Sequence, residues 1–202
     1  MSENPQRKMS SSNFIIIGLI FIAGISIINI FMARSAKVNF DIVENDNYYY
    51  IQDNGNVTML SEVVVQAKDE KSYNNLLSSY KKPDSEKRKV YEDFIDNLTK
   101  KTGRIFELIS VQTTVTVSDR YKIKVIEKSE IKGFVQNIGN NRYEFSLMDQ
   151  KINLENATLY VYKPDNWEFI KVIPNPTEIT DNYLLWKNTG EIQFPKITLE
   201  RK

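Results

Sequence analysis

"VNFDIVENDNYYYIQDNGNVTMLSEVVVQA", residues 38–67, is the stretch on which the fold turns. Two runs flank "DNG": the first carries Tyr48, Tyr49 and Tyr50, the second Val63, Val64 and Val65. Branched and aromatic side chains of this kind favour extended backbone because they pack well on a pleated surface. Asn54-Gly55 between the runs is a hairpin signal, since both residue types accept the positive φ that a type I′ turn needs. The reading is a long β-hairpin, and it sets the expectation of a sheet protein from about residue 38 onward.

Downstream the pattern changes. Residues 68–103 hold no strand-like run. Instead Tyr73, Leu76, Leu77 and Tyr80 recur at helical spacing, as do Val90, Tyr91, Phe94, Ile95 and Leu98. Two amphipathic helices are predicted at about 69–102, separated at Pro83, with Asp84 or Ser85 capping the second and Gly103 ending it. Beyond Gly103 β patterning returns. "IFELISVQTTVTVSD" and "RYKIKVIEK" form one strand pair and "KGFVQNIGNNRYEFSLM" a second around Gly139, with further strands in "ATLYVYK", "WEFIKVI", "NYLLW" and "EIQFPKITLE". Short strands at this spacing predict a mainly-β (α+β) domain at 38–202: an antiparallel, sandwich-like sheet with an inserted helical pair.

Upstream lies "FIIIGLIFIAGISIINIFMA", residues 14–33, without a charged residue. Its apolar positions are Phe14, Ile15, Ile16, Ile17, Leu19, Ile20, Phe21, Ile22, Ile25, Ile27, Ile28, Ile30 and Phe31. At about 1.5 Å per residue a helix of this length spans the roughly 30 Å hydrocarbon core of a bilayer. A secretory signal has a shorter apolar region, of about 7–15 residues. Cleavage after Ser35 stays open as the alternative. The expectation is a transmembrane helix that acts as a single-pass signal-anchor, with the lipid bilayer as partner. Arg7 and Lys8 before the run balance Arg34 and Lys37 after it, so flanking charge leaves the orientation tied. Exporting the tail would carry its charges across, whereas long domains translocate largely regardless of charge. Residues 1–13 are therefore expected as a cytoplasmic tail and 38–202 as extracytoplasmic. A cytoplasmic domain acting as a regulatory partner remains the alternative.

Composition excludes more than it names. Lys+Arg (27) and Asp+Glu (26) nearly cancel, so no basic field points to nucleic acid. With no Cys, disulfides and thiolate sites are excluded. With no His, the Ser-His-Asp and Cys-His arrangements and the usual zinc ligand sets are excluded as well. Chemistry would have to rest on carboxylates, a Ser-Lys pair or oxygen-ligated metal.

Three SxxK strings bear on that: Ser78 with Lys81, Ser79 with Lys82, and Ser129 with Lys132. Ser-Lys enzymes carry supporting motifs that are missing from this sequence, and chance supplies such strings in a serine- and lysine-rich chain. The sequons at Asn56, Asn97 and Asn156 are likewise expected at random in an asparagine-rich chain. "ENDNYYYIQDNGN" fails the EF-hand register, because counting back from Gly55 puts Tyr50 and Gln52 at ligand positions. "KKPDSEKRK" reads as a solvated helix start, with contact to anionic lipid as its functional alternative. Trp167, Trp186, Tyr160, Tyr162, Phe169 and Phe194 read as core or rim residues rather than a ligand platform. No catalytic, cofactor-binding or metal residue, and no small-molecule ligand, is assigned.

The C-terminal stretch "WEFIKVIPNPTEITDNYLLWKNTGEIQFPKITLERK" carries Pro174 and Pro176, an apolar strand ending in Trp186, a turn at Gly190, and Phe194 with Pro195. In these elements it resembles the ending of an uncharacterised family of small single-pass proteins from thermophilic prokaryotes. The resemblance implies an anchor followed by a β-rich exported domain and adds no site. Pro195 is expected on an edge strand that pairs back as a hairpin. The function expected is a non-enzymatic binding or scaffolding component of the cell envelope, with other envelope proteins as partners. A membrane-tethered enzyme using carboxylates or Ser-Lys is the alternative.

Overall fold

The hairpin at 38–67 organises a seven-stranded sheet. A computed structural model of the chain describes residues 39–81 and 83–202. Strand β1 (Phe40–Ile51) pairs antiparallel with β2 (Val57–Ala67). Their connection differs from a type I′ turn: the Gly55 N–H donates to Gln52 O, Gly55 sits at φ 81, and Asn54 does not have positive φ. A turn over Asp53 and Asn54 followed by a left-handed glycine gives a five-residue loop, in which only Gly55 must tolerate the conformation closed to most side chains.

Helices α1 (Glu70–Tyr80) and α2 (Asp84–Thr102) follow, with Asp69 accepting from the Ser72 N–H at the first N-terminus and Gly103 at φ 68 ending the second. Pro83 occupies the cap position of α2 without a side-chain bond, and Asp84 is already helical. Leu76 and Tyr80 of α1 and Tyr91, Ile95 and Leu98 of α2 are buried in the core.

The remaining strands are β3 (Glu107–Asp119), β4 (Lys122–Lys132), β5 (Val135–Gly139), β6 (Arg142–Phe145), β7 (Lys151–Asn153), β8 (Thr158–Tyr162), β9 (Trp167–Ile173), β10 (Glu178–Ile179), β11 (Tyr183–Lys187), β12 (Glu191–Gln193) and β13 (Lys196–Arg201). The large sheet has the order β10-β11-β8-β1-β2-β4-β3, a second sheet the order β5-β6-β13-β9, and β12 pairs with β7. Along β2 and β4 the odd positions are buried: Val57, Met59, Ser61, Val63 and Val65 on one, Ile123, Val125, Glu127, Ser129 and Ile131 on the other. That face takes the helices and the four-stranded sheet. Tyr49 meets Phe134, Phe145 and Phe194 edge-on there, each with ring centroids 5.9 Å away.

Arg104 fastens the two layers. Buried just after α2, its guanidinium donates to the Gly133, Phe134 and Ser146 carbonyls and to Ser146 Oγ. Burial lowers its pKa and the nearby Glu144 carboxylate opposes that shift.

The expected fold class needs correction in three respects. No helix among the described residues is long and apolar enough to cross a membrane. The transmembrane helix expected at 14–33, with apolar positions from Phe14 to Phe31, lies outside the described residues. What is described is a mainly-β domain with a helical pair. Its large sheet is mixed rather than antiparallel, because β8 joins β1 in parallel with Tyr48 beside Tyr160. Finally, the strand after Pro195 is not an edge. β13 lies between β6 and β9, while β11 and β12 belong to other sheets. Pro195 falls between β12 and β13, where no ladder N–H is required, so it divides one predicted strand into two.

Candidate binding surface

Past the bulge between Ile42 and Glu44, the even positions of β1, like Tyr160 and Tyr162 of β8, face away from the core, and the parallel junction brings their tyrosines together. Cross-strand register places Tyr183, Tyr162 and Tyr50 in one row and Leu185, Tyr160, Tyr48 and Leu60 in the next. Tyr48 stacks on Tyr160 at 5.0 Å with planes 11° apart, and Tyr50 on Tyr162 at 4.7 Å and 18°. Tyr183 closes the group at 5.7 Å from Tyr160 and 5.3 Å from Tyr162. All five rings are half-buried.

This stacking decides what the surface can do. Ring faces are occupied by one another, so edges and hydroxyls are left for solvent or a partner. Burial, and then the carboxylates of Asp46 and Glu62, push the Tyr48 hydroxyl up to about 12. Burial also raises Tyr50 and Tyr162, and a hydrogen bond to Glu178 raises Tyr183. These phenols therefore stay neutral and able to donate at physiological pH. Asp46 accepts from Thr158 Oγ1, and Glu62 pairs with Lys124 at 2.6 Å. The result is an amphipathic patch with neutral donors, and its margin carries charges of both signs: Asp46 and the Lys124-paired Glu62 beside exposed Lys128 and Lys187.

On the core face a second polar group stands out. Glu127 of β4 is buried, with Thr113 of β3 on one side in register and Ser61 of β2 on the other. Its carboxyl oxygens have only the Tyr91 hydroxyl of α2 as a nearby donor, outside full hydrogen-bond geometry, and the Tyr80 hydroxyl and Thr113 Oγ1 are buried without a partner. Burial pushes Glu127 up to about 7, while the Tyr91 hydroxyl and the Lys87 ammonium, both from α2, draw it back. Ser61 itself donates to Asn47, whose amide donates to Asn45 and to the Thr158 carbonyl. Glu127 thus sits under the helical pair as a group that holds its proton more firmly than an exposed carboxyl.

The residues singled out in the sequence separate on folding. Ser78 and Ser79 donate to the Asn75 and Leu76 carbonyls of their own helix, and Lys82 lies outside the described residues. Ser129 is buried on the core face whereas Lys132 is exposed on the other. Asn97 and Asn156 are exposed, and Asn56 donates to Glu130. Lys81, Arg88 and Lys89 of the basic segment are exposed. Of the six aromatic residues, Trp167, Trp186 and Phe194 are core, while Tyr160 and Tyr162 belong to the stacked patch. A pocket of about 500 Å³ beside Phe169 contains Asp165 and Asp181, together with Glu168 held by Lys202 at 2.5 Å. Among the described residues no three acidic side chains are placed to hold a metal ion.

Sequence reasoning missed both polar features. Glu127 falls on the apolar phase of "KIKVIEKSEIK", a readable sign of burial. The alternation of Tyr160 and Tyr162 shows that they share a face, but their neighbours on β1 follow only from a long-range pairing.

Fold and surface together define a mainly-β domain that presents an aromatic, hydrogen-bonding sheet face. The chain belongs to the family described as Domain of unknown function (DUF4897), whose model matches residues 40–200. No curated protein matches it.

Proposed function

We propose that this chain is a binding or scaffolding component of the cell envelope, held at the membrane through its uncharged run at 14–33 and receiving a protein partner on the tyrosine face. The observation that carries the reading is the five-tyrosine patch. Tyrosine supplies large contact area with few rotatable bonds and a polar tip, which is why it is enriched where proteins meet. With ring faces already stacked, a sugar has little room to lie flat on them. A polypeptide that accepts hydrogen bonds and brings Lys or Arg to Asp46 and Glu62 suits the surface better.

Attachment to the bilayer and display outside the cytoplasm rest on the length and lack of charge of residues 14–33 and on the charges of the short tail. Protease added to intact spheroplasts should digest the domain, while a cytoplasmic marker survives. Full protection of the domain would contradict extracytoplasmic display.

A further inference from the structure

The edges of the sheets are not equally guarded. At one end of the large sheet β10 has two residues, and β7 and β12 have three each. In the four-stranded sheet β5 is short and irregular between Asn137 and Gly139, and β9 runs into Pro174. Such shortness, bulging and proline are the usual devices against edge-to-edge pairing. β3, the other end of the large sheet, has none of these along its middle. It is 13 residues long, and Ser110–Val117 pairs with β4 without a register shift. From Leu108 to Val117 there is no charge and no proline. The eight regular residues 110–117 offer roughly 27 Å of ladder, and among the described residues no backbone group of these eight bonds to any element other than β4, whereas the Leu108 carbonyl before them accepts from Arg88 of α2 at 3.5 Å.

We propose that β3 pairs antiparallel with β3 of a second copy of this chain, about a two-fold axis at Thr113. The sequence "SVQTTVT", 110–116, is nearly self-complementary about that residue: Val111 would lie opposite Val115, Gln112 opposite Thr114, and Ser110 opposite Thr116. Branched residues meet branched ones and no like charges oppose, which favours a copy of the same strand over a charged foreign peptide. Such an axis is perpendicular to the sheet, so both tyrosine faces would open on the same side of the dimer.

The native chain lacks cysteine, so Thr113→Cys introduces a single thiol. In the full chain in detergent solution, mild oxidation should crosslink Thr113→Cys to a dimer and leave Thr116→Cys monomeric, because only the axial residue faces itself. Adding Gln112→Glu and Thr114→Glu, both exposed in the single chain, should reduce crosslinking at least tenfold. Mixing that variant with one carrying Gln112→Lys and Thr114→Lys should restore it as a heterodimer. A chain that sediments as a monomer at 100 μM, crosslinks that ignore the two glutamates, or equal crosslinking at 116 would each overturn the proposal.

Discussion

Tyr50 on β1 stacks on Tyr162 on β8 with ring centroids 4.7 Å apart and planes 18° from parallel. The contact lies across the parallel strand pair that joins the hairpin to the C-terminal half of the chain. Tyr162→Ala should therefore cost about 1–2 kcal/mol and lower Tm by several degrees. Tyr162→Phe keeps the stack and should stay within about 0.5 kcal/mol of the native chain. Thermal denaturation of the pair separates ring from hydroxyl.

Glu127 supplies a pH dependence whose sign is fixed. Its carboxyl is pushed from the ordinary 4.5 up to about 7 in the folded protein. Between those values the unfolded chain releases the proton while the folded chain keeps it, so this group's stabilising contribution is full below about 4.5 and lost as pH rises through about 7. Glu127→Gln should raise stability at pH 8 by on the order of 3 kcal/mol and flatten the profile between the two values. Urea titrations at pH 5 and pH 8 read this directly.

Arg104 donates to three carbonyls and one hydroxyl from the segments around Gly133 and Ser146. Arg104→Met would leave those buried acceptors unmatched and should cost about 3–5 kcal/mol. Arg104→Lys should recover only part, because a point-like ammonium cannot span the fork of contacts that the planar guanidinium reaches. Chemical denaturation of the two variants is the check.

Gly133 is a position where the backbone admits no other residue. At φ 112 an added Cβ would stand 2.4 Å from the Ile105 carbonyl oxygen. Gly133→Ala should destabilise by about 3 kcal/mol or more, with strain and a backbone clash acting together. Gly139→Ala, at φ 91 with open space around it, should cost about 1 kcal/mol. Comparing the two melting points isolates the clash.

Much of the local structure was readable because its causes are local. The helical pair follows from the spacing of Leu76, Tyr80, Tyr91, Ile95 and Leu98, and the Gly139 turn from Asn140 and Asn141, which both take positive φ. What was not readable depends on partners distant in sequence. Nothing near Tyr48 indicates that it will meet Tyr160, and the parallel pairing corrects the expectation of a purely antiparallel sheet. Pro195 illustrates the same limit. Its missing N–H fits an edge strand or a break between strands equally well, and the choice is made by the packing of Phe194 and Ile197 on either side.

Site-specific photocrosslinking in intact cells reads whether the tyrosine face receives a protein partner. A photoreactive phenylalanine analogue at Tyr50 or Tyr160 should give one discrete crosslinked protein, and the same analogue at exposed Lys171 on the four-stranded sheet should not. The crosslink should weaken when Asp46 and Glu62 are neutralised together. Equal labelling from all three positions, or none from the tyrosine face while the domain remains folded, would rule this face out as the docking surface.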